Sequence, residues 1–595
     1  MKLKTSFFEP TVLKKDITRF WPLWGLYGLF ALLFVLLMWE SNPDAARMAN
    51  NASEVFLSMG VLNFLYAPLA AFFLFGDLFK SRMCNALHAL PLRREGWFLT
   101  HLCAGMLFCI VPNGIAAGLT AALLGKYAWI AGLWLCLMVM QYIFFFGVAT
   151  FACYSSGNTL GALALYGIIN FLAVLVGWLF VTFYQPLLYG IKPDFYEFAR
   201  YSPVVRFCDA NYLETHYDNM TDALVFENFV PADWRFAGIT AGVGVALLAL
   251  ALLVYRIRNL ESAGDFIAFR PAAPVFLVLY TFLAGTVLYY IASSMAEALE
   301  YIFLFIGLGV GFFTGRMLLE RKVNVFRGKS ILAFGILVAV FYASLGITAL
   351  DPVGITRYVP EAENIKYVTI CRSHYVYDLQ RNTVTLKDKA DVETIRNIHQ
   401  DCIETPFDID SDESRTPIFI RYELENGTAV ERYYYVPSNS ENDETLMTYF
   451  TSVEAVFGNS DPKHVLNNLR MIEVYCYELE QPLIAVAKNE DYLDISSYQD
   501  KYPNGGQCIS YYTEWPGQDE MLIGLFDAIK TDCGQGDIAP SGVIYDKPLW
   551  GHISLRYIMG NNINYLDIEI YEDCEATIEY LKSLQPVKEP TAAGD

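Results

Sequence analysis

The chain has 595 residues, of which 54% are hydrophobic, and it carries a formal net charge of -21. This length allows two or three domains, and the apolar fraction exceeds that of ordinary globular proteins. Acidic residues are concentrated after position 350, where 43 Asp and Glu stand against 19 Lys and Arg. Such an anionic surface repels nucleic acid, which excludes nucleic acid as a partner of that half.

The first 350 residues contain nine apolar stretches of membrane-spanning length. A helix needs about 20 apolar residues to cross the hydrocarbon core of a bilayer. The basic N-terminal segment runs directly into the first stretch without a cleavage site, so we expect it to be retained. The eighth stretch is the shortest and can extend to Leu319. The predicted spans are Phe20–Trp39, Val55–Phe75, Leu99–Leu124, Ala128–Tyr154, Leu160–Phe183, Ala237–Val254, Val275–Ser293, Tyr301–Thr314 and Ile331–Leu350.

The basic residues of the loops predict the orientation in the cell membrane. Lys and Arg are retained in cytoplasmic loops. With a cytoplasmic N-terminus, the inner loops hold 17 basic residues and the outer loops hold 6. Nine spans then place the acidic half outside the cell, whereas one span more or fewer would place it in the cytoplasm. The long outer segment, residues 185–236, is expected to cap the spans or to border a substrate exit.

The acidic half contains an internal repeat, which predicts an α+β domain of two β-α-β-β-α-like units. Each copy begins with a β-rich segment, Tyr367–Cys371 or Ile472–Cys476, followed by an amphipathic helix, a hairpin and a short helix. We expect the units at residues 351–465 and 466–585, and a disordered tail at 586–595. The predicted buried helix faces hold Val392, Ile395, Ile398 and Cys402 in the first copy, and Met521, Leu525, Ile529 and Cys533 in the second.

Motifs for nucleotide hydrolysis, metal binding and nucleophilic catalysis are incomplete. Gly328-Lys329-Ser330 matches the end of a phosphate-binding loop, but Val323 stands where the first Gly is required. The acidic run 408–413 lacks the Gly and the Glu of a calcium loop, and residues 371–374 offer only half of a zinc site. No Gly-x-Ser-x-Gly elbow is present in the sequence. We therefore predict a chain with no enzymatic activity, no cofactor and no metal site.

The interiors of the predicted spans are nearly free of charge, which disfavours coupling to protons or sodium ions. Their polar residues are Asn63, Asn113, Gln141 and Asn170, which we expect to hydrogen-bond neighbouring helices. Small residues at every fourth position let helices approach closely. Such spacing predicts a helix-packing face on the eighth span at Gly307, Gly311 and Gly315.

Four cysteines recur at equivalent places in the two repeats. If the domain is extracellular, the expected disulfides are Cys371 to Cys402 and Cys476 to Cys533. The alternative, that these side chains are buried thiols packing as small apolar groups, is equally consistent with the sequence.

In residues 77–96, between the second and third spans, a charged stretch precedes a leucine, Leu-Pro and basic residues. This segment resembles the coupling segment of ABC-2-type transporter permeases. Residues 14–22 are similar to the family's interfacial elbow, and residues 255–269 are similar to the segment after its sixth span. Residues 351–360 and 424–437 resemble a Gram-positive subgroup with a C-terminal extracytoplasmic domain of unknown function. The matching coupling positions are Lys80, Arg82, Leu87, His88, Leu90, Pro91, Arg93 and Arg94.

This resemblance implies the permease subunit of an ABC transporter, with export as the expected direction. Its partners would be the lipid bilayer, a separate ATPase subunit bound at residues 77–96, and a second permease chain in a homo- or heterodimer. A plain basic loop on the cytoplasmic side is the competing interpretation of residues 80–94. The alternative function is a membrane-anchored receptor whose acidic exterior domain binds a cationic ligand such as an antimicrobial peptide.

Overall fold

A computed structural model shows a chain of two compact units. Residues 1–187 and 193–348 form the first unit, and residues 188–192 and 349–595 form the second. The structure describes residues 8–37, 45–88, 93–193, 195–218, 223–258, 263–269, 271–293, 299–372, 383–407, 414–438, 440–457, 465, 469–477, 481–488, 508–512, 519–540, 547–559 and 562–583.

The first unit is built from helices and one small hairpin. Its helices are α1 (Pro10–Arg19), α2 (Trp21–Leu37), α3 (Ala45–Phe75), α4 (Ser81–His88), α5 (Arg94–Leu124), α6 (Trp129–Ser155), α7 (Thr159–Leu179), α8 (Phe195–Ala199), α9 (Pro203–Asp209), α10 (Pro231–Ile257), α11 (Ala272–Ser293), α12 (Glu300–Glu320) and α13 (Gly328–Leu350). The antiparallel strands β1 (Leu213–Asp218) and β2 (Ala223–Phe229) precede α10.

The helices of the first unit confirm most of the predicted spans. Within the described residues, eight helices are long and apolar enough to cross a membrane. The eighth predicted span takes its longer form, because α12 continues to Glu320, one residue past Leu319. The first differs, since α1 and α2 reach the required length only together and meet at a bend of 61°. The bend separates a basic segment from an apolar one. If the two helices of this pair are counted together as one span, the total is nine.

The described parts of the loops predicted to be cytoplasmic contact one another at one end of the first unit, called here the basic end. The Glu9 N–H donates to Thr100 Oγ1 at 3.2 Å, which brings the N-terminal segment to the start of α5. The loop after α10 meets the turn before α7, because the Gly157 N–H donates to Asp265 O at 2.9 Å. Arg321, after α12, lies 3.2 Å from the same Asp265. Helices α7 and α13 therefore both begin at the basic end and lead away from it.

The first sheet of the second unit is antiparallel, with strand order β4-β3-β5-β6. Its elements are β3 (Ile365–Cys371), β4 (Thr383–Leu386), α14 (Lys389–Glu404), β5 (Arg415–Leu424), β6 (Ala429–Pro437), α15 (Glu441–Phe450) and α16 (Val453–Val456). The hairpin turn falls at Gly427, whose φ of 79° suits glycine and accounts for the Asn-Gly signal. The structure adds one strand, β4, between the first predicted strand and its helix.

The second sheet repeats this order within a larger set of strands, β10-β12-β11-β7-β8-β9. The run β8-β7-β11-β12 is antiparallel throughout and follows the order of the first sheet, while β9 joins β8 in parallel. Its elements are β7 (Leu469–Cys476), β8 (Gln481–Lys488), β9 (Cys508–Tyr512), α17 (Asp519–Gln535), β10 (Ala539–Pro540), β11 (Leu549–Met559), β12 (Asn562–Tyr571) and α18 (Glu575–Ser583).

Each sheet packs one face on its helices, and the predicted apolar helix faces are buried there. All four predicted positions of α14 are buried, and α17 buries three of its four, with Met521 partly buried. Val456, Phe457 and Val465 belong to the second core. The second core therefore begins before residue 466, where we had expected the second repeat to start. The predicted acidic run 408–413 and the tail 586–595 lie outside the described residues.

A five-residue segment from the long outer loop, Leu188–Lys192, belongs to the second unit. The Tyr433 N–H donates to Gly190 O at 2.9 Å, so the segment pairs with β6. Gly190 has a φ of 75°, and a Cβ there would lie 2.4 Å from the Tyr434 ring. Lys192 Nζ sits 4.5 Å from the centroid of the Tyr433 ring. The chain therefore enters the second unit twice, after α7 and after α13.

His399 is a polar side chain inside the first core. Its Nδ1 and Nε2 atoms each lie 3.1 Å from a phenol oxygen, that of Tyr422 and that of Tyr434. The ring is fully buried. Burial, followed by the charges of Arg432 and Arg396, lowers the pKa of His399 from 6.5 to about 3. A neutral imidazole is therefore built into this core.

Acidification is expected to destabilise the first core through His399. Below pH 6.5 the unfolded chain binds a proton that the folded core excludes, so stability falls by about 1.4 kcal/mol per pH unit toward pH 3. Hydrogen-exchange protection factors of α14 in the full chain measure this loss. The His399→Gln variant should lose less protection over the same range, with α17 as the internal reference. Equal losses in the chain and the variant would contradict the assignment.

Candidate coupling surface

The predicted coupling segment lies at the basic end. Lys80, Arg82 and Arg93 are exposed there, while Cys84 is buried on the inner side of α4. Leu87 and His88 belong to α4, but their side chains are outside the description, and Leu90 and Pro91 lie outside the described residues. The segment therefore presents at least three cations, with Lys80 just before α4, Arg82 on α4 and Arg93 just before α5.

Arg94 differs from the other predicted coupling residues because its guanidinium turns toward the protein. Its Nη1 donates to the carbonyl oxygens of Tyr255, Arg256 and Arg258 at 3.0, 3.2 and 3.3 Å. The guanidinium also lies 5.6 Å from the centroid of the Tyr255 ring. These carbonyls end α10, where a positive charge stabilises the helix dipole. Arg94 therefore fastens the start of α5 to the end of α10.

Arg258 holds the end of α6 in a similar way, by donating hydrogen bonds to its last carbonyl oxygens. It is buried, and its Nη1 donates to Cys153 O and Tyr154 O at 3.1 and 3.0 Å. Its Nη2 reaches Leu78 O at 3.4 Å, which lies in the turn before α4. Burial lowers the pKa of this guanidinium. Arg258 thus joins the end of α6, the end of α10 and the chain leading into α4.

Hydrogen bonds join the loop after α10 to the turn between α6 and α7. The Ala268 and Phe269 N–H groups both donate to Ser155 O at 2.9 Å. Ser156 Oγ donates to Phe266 O at 2.7 Å. A Cβ on Gly161 would lie 1.9 Å from that same Phe266 oxygen, so only glycine fits there. This loop is the third segment in which we found the permease resemblance.

The elbow helix α1 is held to α5 by a buried pair that sequence reasoning missed. Asp16 Oδ2 lies 2.7 Å from His101 Nδ1, and both side chains are less than 10% exposed. His101 falls inside the third predicted span, although the spans were described by their Asn and Gln residues alone. Its signal in the sequence was a histidine placed within an apolar run, seven residues after Arg94. An ionisable residue inside a span is costly and marks a functional or structural role.

The predicted glycine face of α12 lies against α11. A Cβ on Gly307 would lie 2.8 Å from Gly285 Cα, and one on Gly311 would lie 2.7 Å from Ala284 Cβ. Sequence reasoning missed a second close crossing, where a Cβ on Gly147 of α6 would lie 2.5 Å from Gly244 O of α10. Gly315 meets Leu277 and Tyr280 of α11 at 2.9 and 3.1 Å.

Three of the four polar span residues, Asn63, Asn113 and Gln141, hydrogen-bond neighbouring helices as expected, whereas the Asn170 side chain bonds within its own helix. Asn63 Nδ2 donates to Gln141 Oε1 at 3.1 Å, and Asn113 Nδ2 donates to Tyr27 Oη at 2.9 Å, so each pair joins two helices. Asn170 donates within α7 to Tyr166 O at 2.9 Å.

The four repeat cysteines are buried. Cys476 and Cys533 share the second core, whereas Cys402 lies in the first. Cys371 follows Ile370, whose side chain joins the first core, so strand alternation turns Cys371 to the other face of the sheet. Burial raises the pKa of the Cys402 thiol to about 12. In this structure all four are reduced thiols, which is the alternative that the sequence left open, and neither predicted disulfide is formed.

The exposed cations of the basic end lie on or next to elements that hydrogen bonds tie to the ends of α5, α6 and α10. Among the described residues, no group of three or more His, Cys, Asp or Glu side chains is placed to hold a metal ion.

Comparisons of this chain with protein-family models, curated proteins and solved structures found no match.

Proposed function

We propose that this chain is the membrane-spanning permease subunit of an ABC transporter that uses a separate ATPase. One observation carries the proposal: α4 follows a turn that Arg258 links to the ends of two long helices. A coupling helix needs such a connection, since force applied at the surface must move the spans. The resemblance of residues 77–96 to ABC-2-type permeases supports the same reading. The incomplete phosphate-binding loop at 323–330 is consistent with energy from a partner.

In this proposal an acidic patch of the ATPase meets Lys80, Arg82 and Arg93. Displacement of α4 passes through Arg258 to the ends of α6 and α10, and through Arg94 to the start of α5. The close crossing of α6 and α10 at Gly147 and Gly244 lets these helices move as one body. A second permease chain would supply the other half of the substrate path.

We also propose that the basic end is cytoplasmic and that the second unit is extracytoplasmic. The 17 to 6 distribution of basic loop residues supports this orientation. The chain enters the second unit only after α7 and α13, and both helices lead away from the basic end. The shared strand order of the two sheets supports an origin by duplication, with β9 and β10 as additions. In an exporter this unit would receive, gate or sense the substrate.

Charge reversal on the coupling surface is expected to uncouple the ATPase. In the Lys80→Glu/Arg82→Glu variant, ATP hydrolysis by the co-purified ATPase should fall by about tenfold, because like charges would face the acidic patch. The matched control is Lys126→Glu, an exposed cation in the loop before α6, at the other end of the bundle. Equal activity in the variant and the control, or failure of any ATPase to co-purify, would reject the proposal. Arg94 is unsuitable for this test because its replacement disturbs the helix ends.

The alternative function is a receptor for a cationic ligand. It is favoured by the outer face of the second sheet, which is the face turned away from the helices. Strand alternation places Glu473, Asp567 and Glu569 on that face together with Tyr475 and His552. The Tyr475 and His552 rings stack at 5.5 Å. Carboxylates beside aromatic rings attract cations through charge and through the ring faces.

Titration of the full chain with a Lys- and Arg-containing peptide at low and high salt tests the alternative. The Asp567→Asn/Glu569→Gln variant should bind the peptide about tenfold more weakly at low salt, where screening is weakest. The control is Asp527→Asn on α17, whose helix packs on the opposite face of the sheet. Equal binding by the variant and the control would exclude this face as the receptor site.

A further inference from the structure

A groove runs between α7 and α11 in the first unit. Its volume is about 550 Å³, which falls in the usual range of ligand sites, about 300–1,000 Å³. The lining extends from Ala164 to Trp178 on α7 and from Phe276 to Leu283 on α11. At a rise of about 1.5 Å per residue, the α7 side of the groove is about 21 Å long. The groove is therefore elongated along the helix axes.

The lining of the groove is almost entirely hydrocarbon. Trp178 and Tyr280 are its two residues with a polar group in the side chain, and every other lining residue is Ala, Gly, Val, Ile, Leu or Phe. A polar ligand would lose its hydrogen bonds to water in such a groove without replacing them. The occupant must therefore be hydrocarbon over most of its length.

The groove opens on the outside of the helix bundle. Phe171, Leu172 and Leu283 of its lining are 38%, 42% and 42% exposed. Both α7 and α11 are long and apolar enough to cross a membrane, so these exposed side chains face the hydrocarbon core of a bilayer. The hydrocarbon that reaches the groove there is that of the lipid.

The groove is closed at the end away from the basic end. Trp178 stacks on Tyr290 of α11, with ring centroids 5.4 Å apart and ring planes inclined by 9°. The Tyr290 hydroxyl is also hydrogen-bonded to Thr182 Oγ1 at 2.9 Å. Thr182 belongs to the π-helical turn Phe180–Tyr184 that follows α7, and such turns are frequent at functional sites. These contacts join the two helices across the outer end of the groove.

This closure decides which occupant fits. A helix of a second chain needs about 20 residues to cross the hydrocarbon core, so it would collide with the Trp178–Tyr290 stack. An acyl chain is flexible and unbranched, and it can follow the groove and end below the stack. The acyl chains of one leaflet fill half of the core, a depth of about 15 Å, which is less than the length of the groove.

We propose that the groove binds one acyl chain of a membrane lipid, which enters from the leaflet at the basic end. Gly167 lies in the lining and makes room for this chain, because a Cβ there would meet no atom within 4 Å. The bound chain fills a gap that side chains leave between two helices, as close packing of the interior requires. The inference requires that α7 and α11 cross a bilayer, and it does not depend on the transport function.

Photolabelling of the full chain tests the proposal. The chain is reconstituted in bilayers of phosphatidylcholine that carries a photoreactive diazirine on one acyl chain. The bilayers are dissolved in detergent before illumination, which dilutes lipid away from open surfaces. Mass spectrometry then compares the label on the groove segments of α7 and α11 with the label on α13, which buries only Ser330 and Phe341. The groove should carry at least about tenfold more label, because a chain held there dissociates more slowly.

The Gly167→Phe variant should lose at least about fivefold of the groove label, because its ring takes up the space beside this glycine. Gly335→Phe on α13 is the matched control and should keep the label, since a Cβ on Gly335 also meets no atom within 4 Å. Equal label on the groove and on α13 of the unsubstituted chain overturns the proposal, whether or not the variants fold. Full label in Gly167→Phe overturns it too. An interchain disulfide formed by Leu172→Cys, and not by the unsubstituted chain, would show a second copy over the groove and would also overturn it.

Discussion

The Gly311→Leu variant is expected to lose about 3 kcal/mol of stability, because no side chain fits between α11 and α12 at this position. A Cβ alone would lie 2.7 Å from Ala284 Cβ and 2.9 Å from Thr281 Cα. The two helices would have to separate, and separation would also undo the contacts at Gly307 and Gly315. Unfolding of the purified chain by SDS, followed by fluorescence, measures the loss.

Gly309→Leu is the matched control, since it makes the same replacement on the same helix. A Cβ on Gly309 would meet only Phe334 Cζ, at an ordinary contact distance of 3.6 Å. We expect its stability to change by less than about 1 kcal/mol. If the two variants unfold at the same SDS concentration, helix propensity and not close packing governs this region, and the assigned crossing is wrong.

Local patterns in the sequence predicted the elements of the fold well. Hydropathy located the spans because a helix in a bilayer must be apolar over a fixed length. Period-3.6 patterning identified the buried face of α14, and the Asn-Gly pair located the β5–β6 turn. Strand β4 and its counterpart β8 were both missed, and β4 has only four residues, which are too few to show an alternating pattern. The bend between α1 and α2 was missed because hydropathy shows the length of an apolar stretch but not the direction of the helix axis.

The candidate site was only partly predictable, since its key contacts join residues far apart in the sequence. Counting loop cations treated Arg82, Arg94 and Arg258 alike. In the structure Arg82 is exposed, while Arg94 and Arg258 cap the ends of other helices. The pairing of Asp16 with His101 was missed for the same reason, because these two residues are also far apart in the sequence. A charge count predicts the side of the membrane but cannot distinguish a docking residue from a helix cap.

The Arg258→Gln variant is expected to lose about 2–3 kcal/mol of stability and to uncouple ATP hydrolysis. Glutamine keeps a donor but loses the charge and the fork that reach Cys153 O, Tyr154 O and Leu78 O together. Buried carbonyls that lose a charged donor carry their full desolvation penalty. The end of α6 would also lose the cation that stabilises its dipole.

Arg256→Gln provides the control two residues away. Arg256 lies 3.0 Å from Glu95, but its side chain is 51% exposed, so this ion pair is worth less than about 1 kcal/mol. SDS unfolding should therefore separate the two variants clearly. The ATPase readout then tests the mechanical role: if Arg258→Gln lowers stability yet keeps full coupling, force does not pass through Arg258. Loss of coupling in the folded variant, together with normal coupling in Arg256→Gln, places the connection at this guanidinium.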